Sequence, residues 1–317
     1  HEYNGLSRSR THRRENHESM IAFHPIYVHP LPENHRFPME KYDLLPKQLV
    51  YEGTANEADF FEPGFLSEEH LLSVHNDNYW RNLSALKLSE REQRVSGFVH
   101  SKALVDRERC IMEGTLRAAE IALTTHIAFN IAGGTHHAFA DRGEGFCLLN
   151  DQVIAAHFLL KNRGIGKILI VDLDVHQGNG TAALVRNDER IFSFSMHGRN
   201  NYPLQKEQSD VDVELEDGIQ DKEYLTLLAR NLDGILDKFQ PDFVFYQCGV
   251  DILATDKLGK LAVSMNGCRE RDRFVFDRIR QLGVPVVCTM GGGYSPQTKD
   301  IVEAHAQTFR TGMDLLR

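Results

Sequence analysis

The chain has 317 residues, of which 41% are hydrophobic and 26% are charged, and its formal net charge is −9. This composition is typical of a soluble globular protein, and a chain of this length buries about three quarters of its unfolded surface. The acidic balance argues against a broad nucleic-acid interface, because such a surface needs an excess of Lys and Arg. No apolar run reaches the roughly 18 residues that a membrane span requires, so we expect no membrane partner.

The five cysteines are scattered, odd in number and without CxxC spacing. This usage favours free thiols in a reducing compartment over a disulfide framework. No apolar signal-peptide core follows the N-terminus. We therefore expect a cytoplasmic protein.

Residues 1–19 are polar, rich in Arg and His, and nearly free of aliphatic side chains. We interpret them as a tail or a cloning remnant, with Met20 as the expected native start. No internal repeat or low-complexity linker follows. Residues 20–317 are therefore predicted to form one domain.

Five short apolar runs, each followed by polar residues or glycines, are predicted to be strands: 128–132, 167–171, 191–195, 243–246 and 284–288. Their continuous hydrophobicity is typical of strands buried on both faces of a parallel sheet. Helical spacing of apolar residues follows or separates them at 151–162, 221–239, 268–282 and 299–316. This alternation predicts a three-layer α/β/α domain with a mainly parallel central sheet. Ligands bind beyond the carboxyl ends of such strands, so the polar residues there are expected to converge.

The segment VDLDVHQGNG follows one of these strands and places Asp172, Asp174 and His176 at a spacing of two. Asp and His are good ligands for a hard or borderline metal ion, although a cap-and-turn role is also open. Asp251 ends another strand, where it could merely cap the next helix. Asp174, His176 and Asp251 together would supply three N/O ligands, the pattern of a catalytic zinc site with an open fourth position.

Two further segments end predicted strands with chemically useful groups. His136 and His137 lie between glycines in GGTHHAF, and imidazoles titrate in the range that acid–base catalysis needs. A structural role for either histidine remains open. Tyr294 follows three glycines and could donate a hydrogen bond to a developing oxyanion, or simply pack in a tight turn.

Taken in order, these segments resemble the histone deacetylase family, which has the arginase/deacetylase fold. The resemblance spans most of residues 21–310 and rests on GGTHHAF, GFCLLND, VDLDVHQGNG, GVD and MGGGY. HQGNG and DILATDKLGKLAVS look closest to the class IV-like branch and its bacterial relatives. Class I members usually carry a His and an Asp where this chain has Gln177 and Asn179, a difference that leaves the metal ligands intact.

The resemblance implies a zinc-dependent hydrolase that removes an acetyl or longer acyl group from the N-ε amine of lysine. It implies that Asp174, His176 and Asp251 bind zinc and that His137 is the general base and acid. His136 would assist His137, Asp172 would orient His136, Asn179 would orient His137, and Tyr294 would bind the oxyanion. Because Asn179 is neutral, we expect a less basic His137 than an Asp there would give.

The resemblance also implies a substrate tunnel and a potassium site. The tunnel residues would be Gly145, Phe146, Tyr202, Leu258 and Gly292, and the potassium residues would be Asp172, Asp174, His176, Ser195 and Met196. Arg36 would match an arginine at the foot of the tunnel. His75 and Cys147 are interpreted as structural. The substrate would be an acyl-lysine peptide or a small N-acyl amine, and the oligomeric state is not predicted.

Three alternatives remain beside this interpretation. An arginase-like hydrolase with two manganese ions would want a second carboxylate where this chain has Gly178. A non-catalytic binding module would be expected to lose a ligand, a histidine or the tyrosine, and all are present. An acetylpolyamine deacetylase would need acidic residues at the tunnel mouth, where only Glu144 is a candidate.

Overall fold

The computed structural model describes residues 18–316, so most of the predicted tail lies outside the described part of the chain. Where the description begins, Ser19 Oγ donates to the Ala58 carbonyl at 2.7 Å. No helix within residues 18–316 is both long and apolar enough to cross a membrane.

The described chain forms eight strands and ten α-helices. The strands are β1 (Ile21–Ala22), β2 (Phe60–Phe61), β3 (Ile127–Asn130), β4 (Ile168–Asp172), β5 (Ile191–Gly198), β6 (Val211–Leu215), β7 (Phe243–Gln247) and β8 (Val286–Thr289). The helices are α1 (Lys41–Tyr51), α2 (Glu68–Leu72), α3 (Asp77–Ser84), α4 (Glu90–Ser96), α5 (Lys102–Thr125), α6 (Asp151–Asn162), α7 (Asn179–Val185), α8 (Asp221–Phe239), α9 (Met265–Leu282) and α10 (Thr298–Leu316).

The strands form one sheet in the order β2-β1-β3-β8-β7-β4-β5-β6. Every pairing is parallel, which confirms the predicted three-layer α/β/α fold and makes the sheet more uniform than expected. Strands β3, β4, β7 and β8 are buried along their whole length, as their unbroken apolar runs predict.

The predicted helices form where local signals place them. The Asn150 side chain caps α6 by accepting from the Val153 amide at 3.2 Å, and α8 spans the predicted 221–239. Ser264 caps α9 through the Gly267 amide at 3.0 Å, so this helix begins three residues before the predicted 268. Helix α5 was not predicted; it has 24 residues and packs against β3 and α6.

The carboxyl edge of the sheet carries a row of polar residues. In register across five neighbouring strands lie Asn130, Thr289, Gln247, Asp172 and Ser195. Because all strands run the same way, the loops after β3, β4, β7 and β8 meet at this edge. The row fastens these loops: the Gln247 side-chain amide, for example, donates to the Gly134 carbonyl at 2.9 Å.

Candidate active site

A cluster of three buried side chains lies where the loops after β4 and β7 meet. Asp174 and His176 follow β4, Asp251 follows β7, and their ligand atoms all lie within 4.8 Å of one another. The Nδ1 atom of His176 is 3.1 Å from Asp174 Oδ1 and 3.1 Å from Asp251 Oδ2. The three predicted metal ligands are therefore neighbours in space.

The two buried carboxylates of this cluster, Asp174 and Asp251, favour binding of a cation. Burial and the neighbouring carboxylate of Asp174 raise the pKa of Asp251 to about 7. Two buried carboxylates are costly unless a positive charge compensates them. One imidazole and two carboxylates suit zinc, and they leave one tetrahedral position open for water or substrate.

Backbone amides hold the two carboxylates in place. The Val175 amide donates to Asp251 Oδ1 at 2.9 Å, and the Gly292 amide donates to Asp174 Oδ2 at 2.7 Å. Beneath them Arg271, which is fully buried, donates to the Gly249 carbonyl at 2.6 Å. The two amide bonds restrain the carboxylates directly, as outer contacts do in metal sites, and Arg271 restrains the loop that carries Asp251.

Gly292 offers a test of this cluster. A Cβ atom at this position would clash with Asp251 Oδ2 and lie 3.0 Å from Asp174 Oδ2. We expect Gly292→Ala to weaken zinc binding by about tenfold or more, since it displaces two ligands. Competition with a zinc-binding dye measures this change. Gly64→Ala, where a Cβ meets nothing within 4 Å, is the matched control, and equal zinc affinity in both variants would contradict the assignment.

The histidine pair lies in the loop after β3, with its ring centroids 4.1 Å apart. His136 Nδ1 is 2.6 Å from Asp172 Oδ2, and His137 Nδ1 is 2.6 Å from Asn179 Oδ1. Both rings are buried. Each histidine therefore contacts the residue that the resemblance names as its partner.

The two histidines differ in basicity. Burial opposes charge on His136, but the carboxylates of Asp172 and Asp174 outweigh it and raise its pKa. Burial, together with positive charge on His136 and His176, holds the pKa of His137 well below its ordinary value. Environments that push the pKa values of neighbouring groups apart suit acid–base chemistry. His137 is the neutral member of the pair and can accept a proton.

Tyr294 completes the ring of polar groups from the loop after β8. Its ring centroid lies 6.3 Å from that of His176. Burial, followed by the charges of Asp251 and Asp174, raises its pKa well above the ordinary value, so the phenol stays protonated and able to donate. Asp256 accepts from the Tyr294 amide at 2.6 Å and from the Leu258 amide at 2.9 Å, which ties the tyrosine to the neighbouring wall.

An open cavity of about 310 Å³ leads to these groups. Four of the five predicted tunnel residues line it: Gly145, Phe146, Tyr202 and Leu258. The Tyr202 ring centroid is 5.0 Å from that of His137, and the Phe146 ring centroid is 6.1 Å from that of Tyr294. Gly292, the fifth, lies deeper, beside the metal ligands.

The foot of the cavity differs from expectation. Arg36 is exposed and lines the mouth, so its predicted place at the foot is wrong. Lys41 on α1 is buried, and its Nζ donates to the Gly291 carbonyl at 3.0 Å. Burial lowers the pKa of Lys41 to about 8. Arg107 and Glu108, joined at 2.6 Å, line the small inner chamber below the metal ligands.

The remaining predicted residues have identifiable positions. Ser195 and Met196 lie on β5, where Ser195 pairs with Asp172. His75 bridges the Phe139 carbonyl at 2.9 Å and the Asn150 amide at 3.0 Å, and burial lowers its pKa to about 4, which supports the structural interpretation. Burial raises the pKa of the Cys147 thiol well above its ordinary value, so it is a poor nucleophile.

A buried cluster of candidate metal ligands, with a histidine pair and a phenol close to it, is compatible with a metal-dependent hydrolase. A family model described as the histone deacetylase domain matches residues 35–309. The chain therefore belongs to the histone deacetylase family, as the motifs indicated, and is a hydrolase of the deacetylase type.

Three relatives illustrate the similarity. An uncharacterized protein of Picosynechococcus sp. is 41% identical over 296 residues, which cover 93% of this chain and 98% of that protein. Histone deacetylase 2 of Arabidopsis thaliana is 34% identical over 280 residues, covering 84% and 72% respectively. Histone deacetylase 1 of Homo sapiens is 26% identical over 299 residues, covering 86% of this chain and 58% of the human protein.

Proposed function

We propose that this protein is a zinc-dependent amidohydrolase that removes an acetyl or longer acyl group from the N-ε amine of lysine. The observation that carries the proposal is that the candidate catalytic groups lie close together beside one cavity. His137, Tyr294 and His176 line one cavity with aromatic walls, and His176 lies in a cluster of candidate metal ligands with Asp174 and Asp251. An apolar wall suits the methylene stem of lysine and leaves the amide among the polar groups.

The chain's own residues have separate tasks in this reaction. Zinc held by Asp174, His176 and Asp251 would polarise the acyl carbonyl and acidify water. His137, with its Nδ1 toward Asn179, presents Nε2 to take a proton from the attacking water and to return it to the leaving amine. Tyr294 donates a hydrogen bond to the carbonyl oxygen as negative charge develops there.

Gly178 supports one metal ion rather than two. The two-metal alternative wants a carboxylate at this position. A Cβ atom here would clash with Asp172 Oδ2 and lie 3.4 Å from His136 Nδ1. Any side chain at position 178 would therefore disturb the Asp172–His136 pair. The local packing favours a single zinc ion.

The walls favour acyl-lysine over an acetylated polyamine. Recognition of a polyamine needs an acidic side chain free to meet the distant ammonium group. The carboxylate of Glu144 is already bonded to Arg142 at 2.8 Å and to Tyr202 at 2.8 Å. We therefore place the polyamine second, and we propose no direct nucleic-acid partner because of the acidic net charge.

Two further parts of the proposal concern potassium and location. The segment of β5 at Ser195 and Met196 runs beside Asp172, and this supports a potassium ion close to the zinc site. All five cysteines are free and buried. Free thiols suit a reducing compartment, and this supports a cytoplasmic location.

Side-by-side assays test the substrate. We expect the zinc-loaded enzyme to hydrolyse an acetyl-lysine peptide or a longer acyl-lysine peptide faster than an N-acetylpolyamine. A hydroxamate should inhibit it, and metal analysis should give one zinc ion per chain. Faster hydrolysis of the N-acetylpolyamine would make it the proposed substrate in place of acyl-lysine. If none of the three compounds is hydrolysed, the proposed activity is wrong.

A further inference from the structure

Glu144 contacts Tyr202 in the cavity wall, and its side chain is only 16% exposed. Three side chains donate to its carboxylate. Arg142 Nε donates to Oε1 at 2.8 Å, while the Tyr202 hydroxyl at 2.8 Å and the Asn179 Nδ2 at 3.3 Å both donate to Oε2. The carboxylate therefore connects the cavity wall to the partner of His137.

The backbone around Glu144 fixes this position. Glu144 and Cys147 exchange two backbone hydrogen bonds of 3.0 and 2.8 Å, and the two residues between them, Gly145 and Phe146, both have positive φ. This pattern is that of a tight two-residue turn. The Gly145 and Phe146 amides also donate to the Val95 and Ser96 carbonyls at 3.1 and 2.8 Å. The Glu144 side chain thus starts from an anchored turn.

The contact with Asn179 determines which way its amide faces. An ionised carboxylate only accepts hydrogen bonds, so the Asn179 Nδ2 must face Glu144 and Oδ1 must face His137. Oδ1 only accepts, so the proton of neutral His137 is held on Nδ1. Nε2 then carries the free electron pair, in the direction of the reacting groups. An inverted amide would donate to Nδ1 and move the proton to Nε2, where the ring could not act as a base.

We infer that Glu144 is a positioning residue that fixes the Asn179 amide and, through it, the tautomer of His137. The inference rests on the proposed role of His137 as general base. An aspartate at position 179 has no amide to invert and would need no such partner. Glu144 is therefore useful because this chain has Asn179.

Kinetics of Glu144 variants provide the first test. We expect Glu144→Ala to lower kcat on the best acyl-lysine peptide by about 10- to 100-fold, as loss of an outer orienting contact does, with a smaller change in KM. Glu144→Gln keeps the shape but gains an NH2 donor, so it no longer requires Asn179 Nδ2 to face it and should also lose kcat. Asp77→Asn, which removes an exposed carboxylate paired with Arg81 on α3, should change neither constant. If Glu144→Gln keeps the wild-type kcat, an acceptor-only side chain is not needed at this position, and the inference is wrong.

A double-mutant cycle separates this role from general support of the cavity. In an Asn179→Asp background, Glu144→Ala should cost nothing further in kcat, because no amide remains to be oriented. Tyr202→Phe, which removes only the wall contact of Glu144, should affect KM more than kcat. An equal loss from Glu144→Ala in both backgrounds would show that Glu144 acts through another contact.

Nitrogen-15 NMR of the histidine side chains reads the tautomer directly and needs no turnover. We expect protonated Nδ1 for His137 in the wild type and a shift toward protonated Nε2 in Glu144→Ala, with the signals assigned through His137→Ala. An unchanged tautomer would overturn the inference. If the wild type hydrolyses no acyl amine, the proposed function fails while this measurement still decides the role of Glu144.

Discussion

Replacing His137 with alanine is expected to lower kcat by about 10²–10⁴-fold, the usual contribution of general acid–base catalysis. The ring is buried, its Nδ1 is fixed by Asn179 at 2.6 Å, and its depressed pKa keeps it neutral and able to accept a proton. His136, whose pKa is raised by Asp172, is less suited to that task at neutral pH. Single-turnover and steady-state rates on an acyl-lysine peptide measure the loss.

The His137→Ala variant must keep its zinc for this result to be informative. His137 is not among the three clustered ligands, so metal analysis should still give one ion per chain. His157→Ala is the matched control. His157 lies on α6, where its ring contacts the Ser73 carbonyl at 3.0 Å, and its replacement should not change kcat. A zinc-loaded His137→Ala protein with wild-type kcat would transfer the proton-accepting role to another group.

The central part of the fold was predictable because its signals are local and strong. Four of the five predicted apolar runs correspond to β3, β4, β7 and β8, which are buried throughout, and the fifth lies in β5. Three strands toward the two sides of the sheet were missed: β1 and β2 have two residues each, and the edge strand β6 alternates between half-buried and exposed positions before its end. Such short or partly exposed segments give a weak apolar signal.

Helix α5 shows why a long element can escape prediction. Its buried face includes Arg107 and Glu108 beside its aliphatic residues. These two charged side chains are paired at 2.6 Å, so they tolerate burial, but in the sequence they break the apolar stripe. A buried ion pair of this kind is visible only when the structure brings its partners together.

The residues of the candidate site also fall into two groups, those that local sequence signals locate and those that depend on distant contacts. Metal ligands, histidines and Tyr294 directly follow strands or lie in the loops after them, so strand prediction and residue chemistry located them together. Asp256 was missed because its role depends on the Tyr294 amide, 38 residues away. The burial of Lys41 was also missed. Helix α1 begins at this residue and buries it with Tyr42 and Leu45, so the signal in the sequence was an apolar helix face that includes one lysine.

The second large effect is expected from Tyr294→Phe, which should reduce kcat by about 10²–10³-fold while leaving zinc content unchanged. The substitution removes only the hydroxyl. The aromatic ring stays in place beside Phe146, whose ring centroid lies 6.1 Å from that of Tyr294. The backbone amide of residue 294 still donates to Asp256 at 2.6 Å. A loss of this size with little change in KM would mean that the hydroxyl acts mainly in the transition state.

The protonation of Tyr294 gives this prediction a second, independent measurement. Because its pKa is raised well above the ordinary value, the hydroxyl remains a donor through the whole neutral and mildly alkaline range, so its deprotonation should not produce an alkaline fall in kcat there. Tyr51→Phe, at a residue that is 93% exposed, is the matched control and should behave as the wild type. Full activity of Tyr294→Phe would remove the phenol from the mechanism and leave the carbonyl oxygen to be stabilised by the metal alone. A loss accompanied by zinc release would instead make Tyr294 a support of the metal site.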